Sequence, residues 1–122
     1  MVSIVISFIS GSGGAGKTVA SSSIGAALAI KGYRVVLVDM CNGLRNLDVA
    51  VGLENRVVFD IVDLMENRSN FRQTVISHPE IENLYLIPAS LVYTEDRVDF
   101  SNFKYLINEL RNSFDFILID FC

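Results

Sequence analysis

Gly11-Ser12-Gly13-Gly14-Ala15-Gly16-Lys17-Thr18 decides how the rest of this chain reads, because of what stands on either side of it. Before it, Val2 to Ile9 is a near-continuous apolar run bounded by Ser10 and Gly11. After it, from about Lys17 to Lys31, Ala20, Ile24, Ala27 and Leu28 recur at helical spacing, and Gly32 follows as a natural C-cap. Strand, glycine loop and helix thus fall in the order that a G-x-x-x-x-G-K-[ST] motif needs. Glycines let the backbone curl until its N–H groups point inward at phosphate oxygens, and the helix N-terminus adds a positive dipole end. Lys17 then reaches the outer phosphates and the Thr18 hydroxyl ligates Mg²⁺. The plainer reading, a glycine turn that caps a helix, does not account for strand, loop and helix all standing in place.

Outward from the loop, the chain alternates. Val35-Val36-Leu37-Val38 is a second buried strand ending at Asp39, and a polar loop follows through Asp48. Val58, Ile61, Val62 and Met65 mark a short amphipathic helix. Asn70 to Ser77 reads as another, with Asn70 as N-cap and Gln73 placed for a capping box. Leu84 to Ile87 is a third strand, closed by Pro88. Phe103, Leu106, Ile107 and Leu110 define a last helix, and Phe116 to Ile119 a fourth strand that runs into Asp120. This pattern predicts an α/β P-loop NTPase fold: a mostly parallel sheet of about four strands, with right-handed crossovers and flanking helices. Ligands in such sheets sit beyond the carboxyl ends of the strands, where Asp39 and Asp120 stand. An acidic residue after four apolar ones is the Walker B pattern, whose carboxylate holds Mg²⁺ directly or through water. Either aspartate alone would read as a solvated strand end. Beside the phosphate loop, both read as functional.

Composition narrows the class. The 122 residues suit one domain, and a hydrophobic fraction of 51% suits strands covered on both faces. No apolar run reaches the roughly 18 residues of a membrane span. Met1 to Ile9 lacks a basic n-region and a cleavage site, so a cytoplasmic protein is expected. The net charge is −4 and the ten Lys and Arg are dispersed, which excludes a basic footprint for nucleic acid. Cys41 and Cys122 make no disulfide framework. Each stands two residues past a strand-end aspartate, so their thiols approach if those strands are neighbours. Two ligands make a poor metal site, and neither a metal nor a redox role is expected. His78, with no Cys, Asp or second His nearby, reads as a surface residue. Arg45 and Asn46 read equally as a nucleotide-sensing switch or as ordinary loop polarity.

These residues resemble the MinD branch of the ParA/MinD family of deviant P-loop ATPases. The phosphate loop carries the resemblance, with Val38-Asp39 and Gly43-Leu44-Arg45-Asn46-Leu47-Asp48. Gly52-Leu53-Glu54-Asn55-Arg56-Val57-Val58-Phe59-Asp60 and Leu84-Tyr85-Leu86-Ile87-Pro88-Ala89-Ser90 extend it along nearly the whole chain. It implies ATP and Mg²⁺ as cofactors. Gly11 to Thr18 would bind the nucleotide, Thr18, Asp39 and Asp120 the metal, and Lys17 and Asp39 would be the catalytic groups of an active member. It further implies dimerisation on ATP, hence a homodimer or a MinD-like partner, and a part in placing the division septum. The family grips membrane through a C-terminal amphipathic helix that has no counterpart in residues 1–122.

Two positions depart from the family pattern. The signature lysine that follows the first glycine is Ser12 here, and the water-orienting carboxylate two residues past Asp39 is Cys41. The expectation is therefore an ATP-binding protein with weak or lost hydrolysis. The alternative is a truncated, non-catalytic fragment acting at most as an interaction or structural module. Residues 1–122 would form the N-terminal part of a MinD/ParA-like P-loop ATPase domain. In the family's sheet the strand before the phosphate loop has a neighbour from the second half, so here Val2 to Ile9 is expected at an edge.

Overall fold

Val35, Val36, Leu37 and Val38 offer water no polar side chain on either face. In the computed structural model of the chain they are fully buried inside a five-stranded sheet. The structure describes residues 2–9, 15–41, 46–91 and 100–121, apart from the side chains of Ala15, Lys17 and Phe100. In chain order the elements are β1 (Ile4–Ile9), α1 (Ala15–Ile30), β2 (Val35–Asp39), α2 (Asn46–Ala50), a 3₁₀ turn (Glu54–Arg56), α3 (Ile61–Met65) and α4 (Phe71–Thr74). Then come β3 (Ile76–Ser77), β4 (Leu84–Ile87), α5 (Phe100–Arg111) and β5 (Phe116–Phe121).

The strand order is β1-β5-β2-β4-β3, parallel throughout except for β3. The last strand in the chain is thus inserted between the first two. Its register aligns Ile6 with Leu118 and Leu118 with Leu37, so the carboxyl ends of β1, β5 and β2 lie side by side. Alternation along the strands feeds two cores. Val36, Val38, Ile117 and Ile119 pack under α3 and α5 through Ile61, Val62, Phe103, Leu106 and Leu110. Val35, Leu37 and Leu118 pack on the other face with Ala29, Leu47 and Leu53. There α1 lies close on the sheet because Gly25 has no side chain. A Cβ on it would stand 2.7 Å from Leu37 Cδ2 and 3.4 Å from Leu118 Cδ1.

The structure departs from the sequence reading in three places. The segment Asn70 to Ser77 is only partly helical. Its capping box forms, with Gln73 N–H donating to Asn70 Oδ1 at 2.9 Å and Asn70 N–H to Gln73 Oε1 at 3.0 Å. The helix nevertheless ends at Thr74, and Ile76-Ser77 becomes a fifth strand, antiparallel to Leu86-Tyr85 on the outer edge of β4. The expected polar loop after Asp39 contains α2, formed because Leu47 is drawn wholly into the core. Burial on both faces holds for β2 but not for β1, where Ile4 is 48% and Ile9 77% exposed. Among the described residues β1 pairs only with β5, so it is the expected edge strand. No helix among them is long and apolar enough to cross a membrane.

Candidate functional site

Inserting β5 beside β2 makes Asp39 and Asp120 register partners at the carboxyl ends of their strands. Both are only 1% exposed. Met40 N–H donates to the Asp120 carbonyl at 2.9 Å, carrying the ladder one step past Asp39. Thr18, in the first turn of α1, is buried beside them, and its hydroxyl donates to Asp120 Oδ2 across 3.5 Å. At that length the bond is weak. The Ser21 and Ser22 hydroxyls donate to the Thr18 carbonyl at 3.1 and 2.8 Å and hold this turn.

Asp39 is held by its own loop. Cys41 N–H donates to Oδ1 at 2.9 Å and Leu47 N–H to Oδ2 at 3.1 Å, so the carboxylate fastens the start of α2 to the end of β2. Burial pushes the Asp39 carboxyl up to about 6. The two N–H bonds pull it back, and the neighbouring Asp120 and Asp48 carboxylates push it further up. Close carboxylates in a dry setting resist ionisation together unless a cation joins them. Among the described residues no three His, Cys, Asp or Glu side chains converge into a metal cage. One hydroxyl with one or two carboxylates is instead the sparse set that Mg²⁺ uses when phosphates and water complete its shell. The residues present fit a phosphate-borne Mg²⁺.

The structure therefore brings Thr18, Asp39 and Asp120 together. Ala15, Gly16 and Lys17 form the start of α1, with Gly16 exposed and nothing within 4 Å of where its Cβ would be. Gly11, Ser12, Gly13 and Gly14 lie outside the described residues, as do Arg45 and Cys122. Asn46 opens α2 and is half-buried.

Two expectations need correction. Cys41, expected to belong to no disulfide framework, is buried and disulfide-bonded. His78 is half-buried. Its Nδ1 accepts from the N–H groups of Glu80 and Ile81, at 3.1 and 3.0 Å, and Nε2 therefore donates to the Val51 carbonyl at 3.0 Å. The ring ties the loop before β4 to the end of α2. Sequence reasoning gave no role to Asp48, which is buried and acts electrostatically on Asp39. It also passed over Gly25, although a glycine inside a helix is a signal of close packing.

The family model described as "AAA domain" matches residues 3–122. The chain is 45% identical over 112 residues to the septum site-determining protein MinD of Bacillus subtilis (strain 168), covering 91% of this chain and 42% of that protein. Among solved structures, the MinC:MinD cell division protein complex of Aquifex aeolicus superposes with a TM-score of 0.84 at 39% identity, covering 97% of this chain and 47% of that one. MinD from Pyrococcus horikoshii complexed with Mg-ADP gives a TM-score of 0.82 at 28% identity, over 97% of this chain and 48% of that one. The chain spans less than half the length of these relatives.

Proposed function

The chain belongs to the AAA domain family and is homologous to MinD; from that premise we propose that it binds ATP with Mg²⁺ at the carboxyl ends of β2 and β5. The observation that supports this is the convergence of Thr18, Asp120 and Asp39 below the start of α1. In this reading the backbone of residues 11–18 cradles the phosphates and Lys17 neutralises the outer ones. Thr18 and Asp120 hold the cation, and Asp39 adds negative charge from the adjacent strand. Mg²⁺ bound there would supply positive charge to offset the phosphates and the buried carboxylates. The Mg-ADP held by the Pyrococcus horikoshii relative supports the same pairing of nucleotide and metal.

Hydrolysis is weak or absent in this proposal. Ser12 has no cation to place on a transferring phosphate, a loss of roughly 10³–10⁵ in rate by analogy with arginine fingers. Cys41 has no carboxylate with which to orient water, and its sulfur is engaged in a disulfide. The protein would then act in division-site placement as a nucleotide-dependent binder of a second copy or a MinD-like partner. The MinC:MinD complex of Aquifex aeolicus supports a partner of that type. Within a longer ATPase domain, the described edge of β1 is the place for further strands to pair, since Val2 to Ile9 carries no charge or proline to discourage it.

Titration with labelled ATP tests the binding claim. Binding should require Mg²⁺ and vanish in Lys17→Ala, whereas equal binding by that variant would sink the proposal. For hydrolysis, Ser12→Lys combined with Cys41→Asp should raise turnover by about 10²-fold or more, with Cys41→Asp alone doing less. Brisk turnover by the unchanged sequence would contradict this.

A further inference from the structure

We propose that the cavity at the amino end of the sheet binds a small amphipathic carboxylate, its apolar body against Phe71, Val75, Leu110 and Phe114 and its head group on the Arg34 guanidinium. The cavity encloses about 340 Å³, within the size range of small-molecule sites. It lies between α4, β3, β4 and the end of α5, beside the start of β2, and every residue that borders it is a described one. The edge of β1 is the far edge of the sheet, so the cavity stands away from where further strands would pair.

Arg34 is already arranged for an anion. Its Nε donates to the Ser113 carbonyl at 2.8 Å, and the guanidinium lies 5.1 and 5.4 Å from the ring centroids of Tyr85 and Phe114. Ser113, Tyr85 and Phe114 all border the cavity, so the groups that fix the guanidinium also hold it at the cavity wall. Among the described residues no partner takes up its two Nη groups. A solvated surface arginine would swing on its stem. A guanidinium fixed in this way offers parallel N–H donors to a carboxylate at little further loss of side-chain freedom. Charge narrows the head group. Arg72 and Glu109 also border the cavity, and among the described residues no ion pair uses either. Two guanidiniums against one carboxylate leave one positive charge, which suits a monoanion better than a dianionic phosphate. The aromatic and aliphatic walls then require an apolar body behind that head group.

The probe is 4-phenylbutyrate, a phenyl ring on a short stem that ends in a single carboxylate. Calorimetric titration into the chain should give a Kd of about 1 mM or tighter. In proton–nitrogen correlation spectra the amides of Val75, Tyr85 and Ser113 should shift on binding, and those of Asp39 and Asp120 should not. Arg34→Ala should weaken binding about tenfold or more, and Arg34→Lys should not restore it, because an ammonium lacks the planar fork. Glu109→Gln should tighten binding about threefold by removing the opposing charge, a gain that misfolding does not produce. The neutral isostere 4-phenylbutanol should bind about tenfold more weakly than the acid or worse. No saturation at about ten times the expected Kd, equal binding of the alcohol, or unchanged affinity in Arg34→Ala would each overturn the proposal. So would a loss of affinity in Glu109→Gln, or shifts confined to the carboxyl end of the sheet. None of these readouts uses nucleotide, so this inference and the Mg²⁺–ATP reading fail separately.

Discussion

At its amino end the β2–β5 ladder leads from Arg34 and Asp115, and at its carboxyl end it sets Asp39 against Asp120. The amino end is matched. Arg34 N–H donates to Asp115 Oδ2 at 2.8 Å, and Asp115 N–H returns to the Arg34 carbonyl at 2.8 Å. Arg34 Nε donates to the Ser113 carbonyl at 2.8 Å, and the guanidinium lies 5.1 and 5.4 Å from the rings of Tyr85 and Phe114. The carboxyl end buries like charges on adjacent strands, which packing alone would not favour. A cavity of about 340 Å³ bordered by Arg34, Phe71, Tyr85 and Phe114 sits at the matched end, away from the aspartates. This cavity and the aspartates lie at opposite ends of the ladder, and the electrostatic conflict at the carboxyl end is what supports the proposed site there.

Both ends depend on the sheet that α1 covers, so a core change should break the comparison by moving both. Gly25→Val would drive methyl groups into Leu37 and Leu118 and should cost about 3 kcal/mol in urea unfolding. A cost within error of zero would show that α1 is not held close.

Titration of the carboxyl end should sharpen the contrast. Asp39 keeps its proton up to about 6, against an ordinary 3.8. The stability that comes from the neutral carboxyl is fully present below the ordinary value and is lost as pH rises through about 6. For the chain without nucleotide that loss is about 3 kcal/mol. A carbon-13 titration of the Asp39 carboxyl should place its midpoint near 6, and Mg²⁺–ATP should lower it. A midpoint in the ordinary carboxylate range would remove the argument from burial.

The smallest effect belongs to the amino end. Arg34→Ala gives up two ring contacts and one hydrogen bond on an exposed side chain, about 1 kcal/mol in thermal or urea unfolding. Its ATP affinity should stay within about twofold of the parent, because the two ends are too far apart to couple. A large loss of affinity would join the ends functionally and undo the contrast.

The elements legible in sequence are those whose patterns are long or unmixed. Sixteen residues of α1 closed by Gly32, the four apolar residues of β2 before Asp39, and the Phe103-Leu106-Leu110 stripe of α5 each specify their own structure. The two residues of β3 have no period, and only the edge of β4 makes them a strand. The first three residues of α2, Asn46 to Asp48, read as loop because Leu47 gains its reason to be helical from a core formed by distant strands. Apolar composition could not tell β1 from β2, since it records what a strand tolerates and not how many neighbours it has. At the candidate site, the positions of Thr18 at the start of α1 and Asp120 at the end of β5 were legible because their motifs fix them. The effect of Asp48 on Asp39 was not, nor, away from the candidate site, was the His78 bond to Val51, because no local spacing encodes either.

The most direct test of the account is calorimetric titration of ATP, with and without Mg²⁺, into the parent chain, Asp120→Asn and Arg34→Ala. Mg²⁺ should tighten ATP by about tenfold or more in the parent and in Arg34→Ala, and the gain should disappear in Asp120→Asn, whose neutral amide offers Thr18 and the cation no charge. A parent chain indifferent to Mg²⁺, or an Asp120→Asn variant that keeps the full gain, would contradict the assignment of the Thr18–Asp39–Asp120 end as the nucleotide-bound cation site.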